Sequence, residues 1–233
     1  MNTKKITTII TASILVIVII IASVSTKKVE KKGIKEDMLD INYEIEGNET
    51  TLEQYDTKNP VVAMYIENYG SIVIELYPDI AKNTVNNFIY LVKSGFYDNN
   101  TFHRLIKDFV LQGGDPDGNG TGGPDYSIEG EFSANNYKNP LKHEKGIVSM
   151  ARSSSYNSAG SQFFIVLEDA PHLDGQYATF GKVIDGWNNI EQIIMSERIS
   201  DENSGKLQQN LILKKAIIDL KGKEYEQVKK ITE

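Results

Sequence analysis

The chain has 233 residues, 40% of them hydrophobic, enough for one domain of ordinary size plus an attachment and too few for two independent domains. Cysteine is absent, which excludes disulfide frameworks, thiolate metal sites and cysteine nucleophiles. Charge is uneven: residues 1–35 carry seven Lys and one Glu, net +6, so the remainder stands at −13 for a total of −7. An acidic body of that kind disfavours binding to the phosphate backbone of nucleic acid.

Lys4 and Lys5 precede an uncharged run from Ile6 to Val24, rich in Ile and Val. Nineteen helical residues rise about 28 Å, close to the hydrocarbon thickness of a bilayer. Residues 1–26 therefore read as a retained transmembrane anchor or a cleaved signal peptide, with Ala22, Ser23 and Ser25 as processing positions. The five Lys between residues 27 and 35 outnumber the two before the run, which by the positive-inside rule alone would hold the body in the cytoplasm. A short basic start followed at once by an apolar run is the export pattern, and it decides the expectation. The expected location is the cell membrane, single-pass with the domain on the extracytoplasmic side, or secretion after cleavage.

Residues 27–57 are polar, charged and without a sustained period, so they read as a tether that cannot bury enough apolar surface to fold alone. Asn59-Pro60 opens the structured part, expected over 58–222. Val61 to Glu67 and Ser71 to Tyr77 alternate around Asn68-Tyr69-Gly70 and predict a hairpin. Val85, Phe88, Ile89 and Val92 repeat at helical spacing within Ile80 to Ser94, and Gly95 supplies the stop. Phe102 to Ile106 and Phe109 to Gln112 predict short strands, with Gly113-Gly114 ending the pairing. Further strands are expected at Gly146 to Ala151, Gln162 to Leu167, Thr179 to Ile184 and Leu211 to Leu220, with a second helix from Gly186 or Trp187 to Met195. Many short strands and two isolated helices predict a mainly β fold, a closed antiparallel barrel. Residues 223–233 are a charged tail.

Side-chain alternation places Arg104 on the side of Ile106, and Val110 on that of Gln112, so a guanidinium stands beside apolar surface. Two readings follow: a surface Arg whose stem covers a Phe, or a shallow apolar pocket with one hydrogen-bonding cation at its rim. Other signals fail. Gly118 to Gly123 fits G-x-G-x-x-G but lacks a helix start after it. Asp115, Asp117 and Asn119 mimic an EF-hand start, yet Tyr126 stands where a bidentate Glu is needed. The three His, at 103, 143 and 172, show no metal-ligand spacing, and the serines show no nucleophile elbow.

The ordered set Phe102-His103-Arg104, Phe109 to Asp115 (F-V-L-Q-G-G-D), Gly120 to Gly123 (G-T-G-G), Ser161 to Ile165 (S-Q-F-F-I), Leu173-Asp174-Gly175 and Phe180 to Val183 (F-G-K-V) resembles the cyclophilin family of peptidyl-prolyl cis-trans isomerases. The resemblance implies a closed eight-stranded antiparallel barrel capped by two α-helices. It implies that Arg104 is catalytic, with Gln112 as its partner in the catalytic set, and that Phe109, Val110, Phe164 and Leu173 form a pocket for a proline ring. It further implies that Gln112 bonds the bound amide region, that the backbone at Ala151 and Arg152 bonds the substrate chain, and that Gln162 supports the groove. His172 and Tyr177 complete the rim. Val110 stands where Met is common, His172 where Trp is common, and Tyr177 where His is common, so cyclosporin affinity is expected to be weak. The implied partners are proline-containing polypeptides, acted on by a monomer without cofactor or metal. A peptide-binding chaperone or adaptor using the same groove without turnover is the alternative.

Overall fold

The computed structural model describes residues 51–232; the apolar run from Ile6 to Val24 and most of the expected tether lie outside the described residues. Among the described residues no helix is long and apolar enough to cross a membrane.

The first hairpin joins β1 (Val61–Ile66) to β2 (Gly70–Leu76), with Val62 opposite Ile74 and Met64 opposite Ile72. Its turn holds Asn68 and Gly70 at positive φ, the conformation these residue types reach at least cost. Helix α1 (Lys82–Lys93) buries Val85, Phe88, Ile89 and Val92, the positions its periodicity marks. The carboxylate of Glu131 accepts the amides of Asn83 and Thr84 at 2.9 and 2.7 Å, so a distant residue satisfies the helix start. Then follow β3 (Asn100–Ile106), β4 (Val110–Asp115), β5 (Ile147–Met150), β6 (Phe163–Val166) and β7 (Thr179–Asp185). Helix α2 (Trp187–Ser196), β8 (Ile199–Asp201) and β9 (Lys206–Asp219) complete the order.

Pairing runs β1-β2-β7-β5-β6-β4-β3-β9, and β9 returns to β1, so eight antiparallel strands close on themselves. Closure leaves no unpaired edge around the ring. The ninth strand, β8, pairs only with β9 and lies outside the ring. Inside, the rings of Phe88 from α1, Tyr97, Phe163 and Phe180 pack at centroid separations of 5.0–5.7 Å, and α2 adds Ile190 and Ile193.

Three expectations change. Gly113 and Gly114 do not end β4: Gly113 pairs with Phe102 on one side and Phe163 on the other, and the strand continues to Asp115. A Cβ on Gly113 would sit 2.7 Å from the Phe102 ring, and one on Gly114, at positive φ, 2.4 Å from the Ser161 carbonyl. The pair thus lets neighbouring groups approach closely. The last strand begins at Lys206, five residues before its apolar pattern, because the polar stretch is held by β8 and β3. The packed region also reaches beyond 58–222. Leu52 is buried against Val61, Ala63 and Val73 on the outer wall, while Ile231 bridges Ser127 and Lys229 exchanges two hydrogen bonds with Asn83.

Candidate active site

Along β4, β5 and β6 alternate residues turn inward and outward. Leu111, Val148, Met150, Phe163 and Ile165 belong to the interior core. Their neighbours Val110, Ile147, Phe164 and Val166 form, with Ala170, a second buried cluster on the outside of the same wall. Phe109, Leu173 and Tyr177 pack half-buried against it, as does Ala151. The two adjacent phenylalanines therefore divide: Phe163 fills the barrel and Phe164 floors an external apolar groove.

Register aligns the polar groups with that floor. Arg104 stands opposite Gln112, Gln112 opposite Phe164, Phe164 opposite Ser149, and Ser149 opposite Thr179, one row across five strands. Within it the Arg104 Nη1 donates to Gln112 Oε1 at 3.1 Å, and Gln112 Nε2 donates to Gln162 Oε1 at 3.0 Å. Gln162 Nε2 then donates to the Gly122 carbonyl at 2.9 Å, which ties the relay to the glycine-rich loop. Arg104 Nε donates to the Ser204 carbonyl at 2.8 Å, in the turn between β8 and β9. Among the described residues Nη2 has no protein acceptor, so a fixed, charged donor remains available beside the groove. Burial lowers the Arg104 pKa from its ordinary value against the opposing influence of Tyr177, yet a guanidinium remains cationic at neutral pH.

At the rim, His172 is exposed and stacks on Phe109 at 5.4 Å, and Tyr177 meets Phe164 edge-on at 5.8 Å. The Arg152 guanidinium lies 4.6 Å from the Tyr177 ring centre and donates twice to the Gln176 carbonyl. Of the expected residues, Phe109, Val110, Ala151, Phe164, Leu173 and Tyr177 share the outer cluster, Arg104, Gln112 and Gln162 form one relay, and His172 and Arg152 lie against Phe109 and Tyr177. One detail differs: the Ala151 N–H is already committed to the Gln162 carbonyl at 2.9 Å, so residue 151 can reach a bound chain only through its carbonyl. Ser204, Ile147, Ala170 and His143 also border these groups, and the sequence motifs do not mark them as site residues. Ser204 lies 100 residues from Arg104 in a polar turn, and no local pattern marks it.

Nothing in the groove resembles a metal cage: among the described residues no group of three His, Asp or Glu converges. What the site offers is an apolar cluster on the outer wall, a charged donor held by two acceptors, and strand backbone alongside. The architecture is a closed eight-stranded antiparallel barrel with a second apolar cluster on its outer wall, and comparisons with known proteins specify its family.

Residues 61–217 match the family model described as cyclophilin type peptidyl-prolyl cis-trans isomerase. The chain is 50% identical over 121 residues to peptidyl-prolyl cis-trans isomerase B of Bacillus subtilis, covering 52% of this chain and 81% of that protein. It is 42% identical over 156 residues to peptidyl-prolyl cis-trans isomerase-like 2 of Rhizopus delemar, covering 65% of this chain but only 29% of that longer protein. Among solved structures it resembles a cyclophilin type peptidyl-prolyl cis-trans isomerase of Cryptosporidium parvum, crystallised in the presence of the dipeptide Ala-Pro. That likeness has a TM-score of 0.60 and 36% identity and covers 68% of this chain and 98% of the other. The chain belongs to the cyclophilin-type peptidyl-prolyl cis-trans isomerase family.

Proposed function

We propose that this protein accelerates rotation about Xaa-Pro peptide bonds of polypeptide substrates, with Arg104 as the catalytic donor. The observation that carries the reading is the Arg104 guanidinium, held by Gln112 and Ser204 with one amino group unspent beside an apolar groove.

Rotation about a prolyl amide has a barrier of about 18–20 kcal/mol because the nitrogen lone pair is delocalised into the carbonyl. No covalent bond to substrate is made or broken, so neither nucleophile nor cofactor is required. In the half-turned state the nitrogen regains its lone pair and becomes a good acceptor, whereas the planar amide nitrogen accepts poorly. A donor fixed at that nitrogen binds the twisted form more strongly than either endpoint, and each 1.4 kcal/mol or so of that difference is tenfold in rate. Phe109, Val110, Phe164 and Leu173 seat the proline ring in this reading, while Gln112 and Gln162 keep the guanidinium aimed. The Ala-Pro dipeptide present with the Cryptosporidium relative is of the substrate chemistry this groove suits.

The reading extends to location. The basic, apolar leader motivates a membrane-tethered or exported enzyme that assists folding of exported proteins, where slow proline isomerisation limits the rate. Leu52 docks on the β1 and β9 side, and in the ring order β1 lies four strands from β6. An isomerisation assay on a proline peptide tests the activity; absence of any acceleration by the intact chain would exclude it. Mass measurement of the mature amino terminus, with protease accessibility of intact cells, tests the location.

A further inference from the structure

His143 takes part in no step above, yet it is 2% exposed and lies within hydrogen-bond distance of Asp174 and Ser149. Its Nδ1 lies 3.1 Å from Asp174 Oδ1, and its Nε2 lies 3.1 Å from the Ser149 hydroxyl. Its backbone closes the same turn from both ends: the His143 N–H donates to Asp174 Oδ1 at 2.9 Å, and its carbonyl accepts from Ala170 N at 2.8 Å. That turn carries Leu173. The imidazole plane lies nearly parallel to the Phe164 ring, 16° apart at 6.0 Å, and edge-on to Tyr177 at 6.4 Å. Ser149, in turn, is the direct cross-strand neighbour of Phe164.

We propose that His143, clamped between Asp174 and Ser149, is a positioning residue that sets the Phe164, Leu173 and Tyr177 walls of the proline pocket. The proposal rests on the isomerase reading. The chemistry gives the clamp a defined polarity. Asp174 is held below the usual carboxylate range by His143 and Lys142 despite partial burial, so it is the acceptor and Nδ1 the donor. Nε2 is then unprotonated and accepts from Ser149. Burial lowers the His143 pKa, opposed by Asp174 and aided by His172 and Lys142, which keeps the imidazole neutral at neutral pH. Among the described residues these are the charged or titratable groups that face it, together with the Tyr177 ring. A buried, fully bonded side chain that braces two rings and a turn restricts them to one arrangement. Reach to three elements at once distinguishes it from a His that merely fills core.

The test uses full-length protein carrying Ser149→Ala, Asp174→Asn or His143→Gln. The readouts are kcat/KM for a proline peptide and the aromatic carbon shifts of Phe164 and Tyr177. The expectation is a loss of about tenfold or more in kcat/KM for His143→Gln and Asp174→Asn and a smaller loss for Ser149→Ala, each with displaced Phe164 and Tyr177 signals. The acid limb of the pH profile should also move to lower pH in Asp174→Asn, because the imidazolium loses its counter-charge. Folded variants with rates within twofold of the parent overturn the proposal, and so does a rate loss with both ring signals unmoved. If His143→Gln does not fold, the other two variants decide. If the parent itself shows no isomerisation, the functional reading fails on its own, and the ring signals still report whether His143 sets the walls.

Discussion

Gln112 stands directly opposite Phe164 in the register of β4 and β6, so the amide that grips Arg104 and the ring that floors the apolar groove share one cross-strand row. Donor and pocket are therefore spaced by sheet geometry, about 5 Å per strand, and not by a loop. Rigid spacing of this kind is what a catalyst needs when its only task is to place one hydrogen bond.

Replacing Gln112 by Leu keeps the volume on the row but removes the acceptor for Arg104 Nη1 and the link to Gln162. A hydrogen bond to a charged group is worth about 1.5–3 kcal/mol, and loss of aim in the transition state alone makes a drop of roughly tenfold in kcat/KM the expected result. Steady-state kinetics with a proline tetrapeptide measure it. Unchanged kinetics would show that Gln112 does not orient the cation.

Acid should weaken the fold before the carboxylates titrate. His103 and His143 are both buried and both have pKa values lowered from 6.5, chiefly by burial, with Asp115 and Asp174 respectively opposing. Below 6.5 the unfolded chain binds more protons at these sites than the native one, so stability is complete above that pH and lost as pH falls towards the native values. Asp115 and Asp174, lowered from 3.8, add their loss only at more acid pH. Urea midpoints at pH 7.5 and 5.0 should differ, with the lower midpoint at pH 5.0. Equal midpoints contradict the assignment.

Leu52 offers a control remote from the groove. It is fully buried on the outer wall, so Leu52→Ala should cost about 2–5 kcal/mol by leaving a cavity. The rate per folded molecule should not change, since the site lies across the barrel. Chemical denaturation and the isomerase assay on one preparation check both halves of the expectation.

The tail is a second brace. Ser127 and Ile231 exchange two backbone hydrogen bonds at 2.8 and 3.0 Å, and Asn83 and Lys229 exchange two more. Deleting residues 223–233 should cost about 2 kcal/mol, roughly 4–8 °C in Tm for a domain of this size. A Tm unchanged by the deletion would show that the tail contributes nothing in solution.

How much of this was legible beforehand follows from which signals are local. Alternation in β1 and β2, the short apolar runs of β6 and β7 and the 3.6-residue repeat of α1 mark elements whose bounds shift by only one or two residues in the structure. Closure of the barrel is not local: it depends on β1 meeting β9 more than 140 residues later, so the run of short strands points to it only in outline and the resemblance adds the count of eight strands. The division of Phe163 from Phe164 follows from period two, but which of the pair faces the interior needs the neighbouring strands. Gly113-Gly114 misleads because glycine marks both strand ends and close approaches. β8 is three residues long, too short for any period to show. His143 escapes because a lone His offers no spacing to read; its meaning lies in Asp174 and Ser149, reached through folding.

The central claim is that one guanidinium stabilises the half-turned amide. Line-shape or protease-coupled kinetics on an Ala-Pro-containing peptide, comparing the parent chain with Arg104→Ala, test it most directly. The account predicts a fall of about 100-fold or more in kcat/KM, the size expected for losing one preorganised donor, with peptide affinity changed only a few-fold. Equal rates for the two proteins, with both folded, would contradict it and leave the groove as a site that binds without turning over.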